Sequence, residues 1–404
     1  MSAAVLPQRP APQPAWRELW LITVGHGLTH WYPATFYLLL PLIGAELGLS
    51  YSQIGLIMTC KYLASAIANV PGGVLVDTVG RKGLLMALSL FWIGLPYLLI
   101  GFTHSYLMLL ACVALVGFGN SLWHPTAIPT LARGYPERKG LVLSVHGMGG
   151  NVGDAVAPVI IGAALSYFTW REVVVLNVVP GLVVAALLFV FLGGMRLASK
   201  AHESQTVAQY IAGLKDLFRS RSLVMLSSGS AFRTMTQSAL LTFLPVYLAH
   251  DMGYSPVWVG ACLFALQAAG FAASPVAGHL SDRMGRKQIL VSSMAASAVV
   301  LAAMALSGGS PLFIALVAVL GFFLYATRPV IQAWMLESTP KNMGGSSIGV
   351  LFGAQALGGA VGPLLGGMVA DAFGLLATFY FLAATIVVAN LFVFGVAPRG
   401  ERNS

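Results

Sequence analysis

Long apolar stretches broken by short polar ones run almost the whole length of the chain. A bilayer core roughly 30 Å thick is crossed by about 20 apolar residues of helix. By that measure spans fall near 18–43, 52–76, 83–102, 105–132, 140–167 and 172–195. A polar segment, 196–221, interrupts the pattern, and six more spans follow near 222–249, 256–280, 287–307, 311–336, 345–371 and 374–396. The runs are too long for barrel strands, and backbone groups in lipid must be satisfied internally, so the spans are helices. The expected fold is an all-α integral membrane protein of twelve transmembrane helices in two six-helix bundles. The first bundle covers 18–195 and the second 222–396, with tails at 1–17 and 397–404. In the linker between them Val207, Ile211, Leu214 and Phe218 recur at helical spacing beside Lys215 and Arg219. That pattern suits an amphipathic helix lying on the membrane surface.

Composition agrees: 57% of the 404 residues are hydrophobic and only 9% charged, against about 25% charged in a soluble domain. Cys60, Cys112 and Cys262 all lie in apolar runs and read as small buried hydrophobes. No cleavable signal peptide is expected, because the Pro- and Ala-rich residues 1–15 lead directly into a span. Of the 22 Lys and Arg, 18 lie in the tails, the linker and the loops after even-numbered spans. The positive-inside rule places that side, and with it both termini, in the cytoplasm. The net charge of +9 thereby follows mostly from topology and implies no nucleic-acid partner.

The polar loops carry a repeat. Gly73-Val-Leu-Val-Asp77-Thr-Val-Gly80-Arg81-Lys82 returns as Gly278-His-Leu-Ser-Asp282-Arg-Met-Gly285-Arg286-Lys287, 205 positions on. At offsets of 204 to 205, Pro41 matches Pro245, Gly48 matches Gly253, Gly55 matches Gly260, His124-Pro125 matches Arg328-Pro329, and Pro158 matches Pro363. Topology is the same in both copies, so this is a parallel tandem repeat of six spans. Two such pseudo-symmetric halves suit an alternating-access transporter with its substrate site between them at the midplane.

These loops resemble the signature of the major facilitator superfamily, a likeness that covers the whole chain. Within it, Ser121-Leu-Trp-His124-Pro125 and Gly147-Met-Gly-Gly-Asn151-Val-Gly153, followed by Pro158, are similar to the fosmidomycin-resistance type of efflux transporter. The resemblance implies a bacterial-type inner-membrane location and a gating role for Asp77, which would latch the halves near Gly344-Gly345-Ser346, with Arg81, Asp282 and Arg286 as further gate residues. Alternatively Arg81 and Lys82 simply anchor the loop in anionic headgroups. Gly349, Gly358, Gly362-Pro363 and Gly366-Gly367 in span eleven follow the family's antiporter spacing, which normally sits in span five; small residues at this spacing also serve close helix packing.

Ionisable residues inside spans are costly and usually face a cavity. His26, His30, Lys61, His124, His146, Asp154, Arg233 and Arg328 are such residues. The resemblance implies a cavity lined by spans one, four, seven and ten, which favours His30, His124, Arg233 and Arg328 as substrate ligands, with Tyr37 and Gln237 beside them. Guanidinium groups offer a planar fork to carboxylate, phosphate or phosphonate. The arginines thus read either as ligands of an anionic substrate or as structural partners of Asp154 and backbone carbonyls. Lys61 reads as a snorkelling or locally paired residue, or else as a ligand. His124, Asp154 and His30 are candidate proton carriers, and a neutral histidine could equally hydrogen-bond substrate. His26 and His30, four apart, share a helix face, but two histidines are a weak metal claim, and neither metal nor cofactor is expected. No nucleotide-binding phosphate loop occurs.

The expectation is a monomeric secondary transporter that exports a small anionic or amphiphilic compound, such as a drug, in exchange for protons. Proton-coupled uptake of an organic anion is the alternative, and an integral membrane enzyme a remote one.

Overall fold

The computed structural model describes residues 16–195, 219–339 and 344–396, and leaves the side chains of 69, 70, 73, 74, 77, 78 and 344–346 undescribed. The expected linker helix at 207–218 and the two tails up to 15 and from 397 lie outside the described residues. The first half holds α1 (Trp16–Leu47), α2 (Tyr51–Thr78), α3 (Lys82–Phe102), α4 (Tyr106–Asn120), α5 (Trp123–Gly134), α6 (Lys139–Ala164) and α7 (Trp170–Leu192). The second holds α8 (Arg221–His250), α9 (Pro256–Met284), α10 (Arg286–Ser307), α11 (Pro311–Glu337), α12 (Gly344–Phe373) and α13 (Leu375–Phe394). Because α4 and α5 together make one crossing, the thirteen helices form twelve spans.

The fourth span, expected to be continuous, breaks at Ser121 and Leu122. Pro125 has no N–H to give the carbonyl of Ser121, so the hydrogen-bond ladder fails there. Its counterpart α11 runs unbroken past Pro329.

Among the described residues eight crossings are long and apolar enough to span a membrane by composition alone. The helices outside that set, α1, α2, α6 and α8, carry His26 and His30, Lys61, His146 and Asp154, and Arg233 respectively. These four helices carry most of the mid-span ionisable residues; His124 on α5 and Arg328 on α11 are the others.

Turns repeat between the halves as the sequence does. Gly48 and Gly253 end α1 and α8 with φ of 61° and 69°, a conformation that side chains disfavour. Ser50 and Gln53 form a capping box on α2, and Thr169 and Glu172 another on α7.

Glycines set the helix spacing. Within the halves, Gly149 and Gly153 of α6 abut the backbone carbonyls of Thr23 and Gly27 on α1, while Gly358 and Gly362 of α12 abut those of Ala231 and Met235 on α8. Between the halves, Gly55 of α2 packs on the carbonyl of Pro363, and its repeat mate Gly260 packs on that of Pro158. The glycine pattern of span eleven therefore serves two seams, one inside its half and one across to α2.

The Gly55 and Gly260 contacts and the cross-half hydrogen bonds of Asp371, Thr59 and His250 lie from the middle of the helices to the face away from residues 16, 195 and 396. There Asp371 accepts from the backbone N–H groups of Tyr51 and Ser52 at 2.8 and 2.9 Å and from the Ser52 hydroxyl at 2.5 Å. Thr59 donates to the carbonyl of Ala360 at 2.5 Å, and His250 to that of Pro41 at 3.3 Å. Towards the terminal face, a side-chain carbon added at Gly147, Gly278, Gly349 or Gly353 would meet nothing within 4 Å.

Candidate functional site

The mid-helix residues differ sharply between the halves. In the first half α1 presents His26 and His30 on one face, as i and i+4 positions do. Gly150 of α6 makes room for them, since a side-chain carbon there would stand 2.8 Å from Cε1 of His26 and 3.0 Å from Nε2 of His30. His26 donates from Nδ1 to the carbonyl of His146 at 2.7 Å, and its Nε2 lies 3.1 Å from Nε2 of His124 on α5. The ring of His146 stacks on that of His26, centroids 4.0 Å apart and planes 14° from parallel. Nδ1 of His30 meets Oδ2 of Asp154 at 2.9 Å. Four imidazoles and one carboxylate thus form a single cluster, in which His26 and His146 are buried and His30, His124 and Asp154 half-buried.

The second half faces them with cations. Arg233 on α8 is 3% exposed and is consumed by its own half, donating to the carbonyl of Leu324 at 3.3 Å, to Thr327 Oγ1 at 3.5 Å and to Gln237 Oε1 at 2.8 Å. Arg328 on α11 is exposed although it sits mid-span, and has neither a hydrogen bond nor an ion pair with a described residue. It stands within electrostatic reach of His124, Tyr62 and Arg233. Lys61 is buried on α2 with its ammonium over the rings of Tyr62 and Tyr37, 4.9 and 5.6 Å from their centroids. The two phenols bond each other at 2.7 Å. Lys61 therefore stays deep under two rings instead of snorkelling to the interface.

The sequence pattern sets His30 beside Arg233 and His124 beside Arg328 as repeat mates. In space the histidines gather on one wall and the arginines on the other, and Asp154 pairs with His30, not with an arginine. His26 and His146 join the cluster although spans one and five were not both expected to supply ligands. The spacing of 146, 150 and 154 along one helix face was the available signal.

The loop residues behave differently from the central ones. Arg286 pairs with Asp282 at 2.5 Å and with Glu337 at 2.9 Å, all within the second half. Arg81 is exposed. The side chain of Asp77 and its expected partners at 344–346 lie outside the described residues.

A family model described as Major Facilitator Superfamily matches residues 19–273 and 226–404. The chain belongs to this superfamily. Its relatives are transporters, not enzymes, and it is a multi-pass membrane protein. It is 27% identical over 364 residues to the hexuronate transporter of Bacillus subtilis, covering 86% of each chain. To the fosmidomycin resistance protein of Escherichia coli it is 25% identical over 355 residues, covering 87% of this chain and 85% of that one. Its fold also matches a bacterial homologue of the human lysosomal transporter Spinster in an inward-facing conformation, with a TM-score of 0.75, 17% identity and 94% and 96% of the two chains covered.

Proposed function

We propose that this transporter exports a small anionic or amphiphilic compound across the bacterial inner membrane, in exchange for protons. The observation that carries the anionic part is Arg328. A guanidinium exposed at mid-span, with no hydrogen-bond or ion-pair partner among the described residues, has capacity for a planar anion. The wider cavity supports the same reading, because Lys61, Arg233 and Arg328 face the single mid-span carboxylate of Asp154. Two of the relatives are named for a sugar carboxylate and for resistance to a phosphonate.

In this reading both termini are cytoplasmic, and the terminal face is the one from which the exporter loads its cargo. The anion enters between the two walls, Arg328 holds its head group, and Tyr62 with Tyr37 supplies an apolar side. Closure of the terminal face and opening of the far face then move the site across the membrane.

Proteoliposome flux under imposed pH gradients tests this. A phosphonate or sugar carboxylate should move against its gradient when protons run the opposite way, and a cationic amphiphile should not. Preference for the cation overturns the arginine argument. Anion movement in the same direction as protons makes the protein a symporter.

A further inference from the structure

We infer that His26, His30 and His124 form a binding site for one first-row transition-metal dication of the zinc class. One ligand nitrogen from each of the three can be chosen so that all lie within 4.8 Å of one another. The Nε2 atoms of His26 and His124 are 3.1 Å apart. Metal–nitrogen bonds of about 2.0–2.1 Å at a tetrahedral angle set nitrogens about 3.3 Å apart. Two of the three ligands therefore already stand at the spacing of a coordination edge.

The hydrogen bonds behind the rings are those a metal site needs. A carbonyl only accepts, so Nδ1 of His26, against the carbonyl of His146, carries the proton. In the neutral ring Nε2 is then a lone pair. Nδ1 of His30 faces the Asp154 carboxylate and is fixed in the same way, with Nε2 again free. Ligating histidines in metalloproteins are held by this kind of carbonyl or carboxylate partner, which fixes the tautomer and raises the basicity of the ligand. Two rings on separate turns of α1 and one on α5, each on a rigid helix, complete the set.

A second observation concerns His146. It is 3% exposed, its ring covers His26, and neither of its nitrogens has a partner among the described residues. The cluster thus holds more nitrogen donors than its own hydrogen bonds use. Imidazole ligands select zinc, copper, nickel or cobalt over the oxygen-seeking magnesium and calcium. His30 and His124 are half-exposed, so the ion enters past these two rings and keeps a fourth position on their exposed side. The charges opposing a dication are Arg328, within reach of His124, and Lys61, within reach of Asp154; Asp154, bonded to His30, offsets them in part.

The test uses the full chain, purified without a polyhistidine tag, stripped with a chelator and titrated with Co²⁺ in detergent. One Co²⁺ per chain should bind with the visible absorption of a low-coordinate nitrogen site, and Zn²⁺ should displace it. His26→Gln, His30→Gln and His124→Gln should each weaken binding at least tenfold, and Asp154→Asn by about 10–100-fold. His279→Gln, an exposed position on α9, should leave it unchanged. Size-exclusion profiles identify variants that fail to fold. X-ray absorption of the zinc-loaded wild type reads the ligands without any variant: an imidazole shell supports the site, and a sulfur or all-oxygen shell overturns it. Absence of stoichiometric binding, or equal binding in the triple variant, also overturns it.

Discussion

Arg328 and Arg233 carry the same charge mid-span on two helices of the second half, yet their surroundings separate them. Hydrogen bonds to charged groups contribute about 1.5–3 kcal/mol. Arg328 makes none with a described residue, so that capacity is open to a ligand, whereas the donors of Arg233 hold α8 to α11. Arg328→Gln should lower anion flux in proteoliposomes roughly tenfold or more without changing the melting temperature. Arg328→Lys should recover little of it, because a single ammonium lacks the planar fork. Arg233→Gln should instead destabilise the protein by about 1–3 kcal/mol, seen in a thermal melt, as Gln237 and Thr327 lose the guanidinium and the Leu324 carbonyl keeps only its Thr327 side-chain donor. The sequence marks both arginines equally, since depth in a span is all it records. Which of them is already bonded depends on the rotation of α8 and α11 about their axes.

At the scale of the helices, the crossings are legible because apolar length is a strong signal, and the helix ends fall close to the polar loops. What the pattern hides is the broken fourth span: Pro125 is visible, but its mate Pro329 leaves α11 whole, so proline alone does not predict the break. The histidine cluster is hidden for a related reason. Tandem repetition suggests that repeat mates do equivalent work, while α1, α5 and α6 converge within one half through the glycine seam at Gly149, Gly150 and Gly153. The seams between halves invite a direct test. In Gly260→Leu the new side chain would run into the backbone of Pro158, so the far face cannot close at α6 and α9. Spin labels at Tyr167 and Ser255, both exposed on that face, should move apart relative to the parent protein. An unchanged distance distribution would show that this contact does not hold the face shut.

For the whole molecule, access from each side of the membrane reads the state of the transport cycle. Gly147→Cys and Gly353→Cys place thiols where the structure has open space, and Gly260→Cys places one against backbone. A membrane-impermeant thiol reagent should modify the first two in inside-out vesicles and leave the third unmodified. Labelling of the first two from outside intact cells would reverse the orientation that the distribution of Lys and Arg predicts. Asp371→Asn should shift the equilibrium away from the closed far face by roughly five- to thirtyfold, the range of about 1–2 kcal/mol. Labels at Ala45 and Phe373 would report that shift as a longer mean separation.

Asp371 also breaks the symmetry of the machine. It caps the first turn of α2 from the opposite half, as a carboxylate at a helix N-terminus does. At the mate corner, 205 positions away in each half, Ser166 stands where Asp371 would be and α9 opens on Pro256, which has no N–H to offer. One corner of the far face is bolted by charge and the other is held by packing alone. Opening that face therefore costs unequal work along its rim, and the two halves part as a door swings on its fastened edge, with α6 and α9 on the free side.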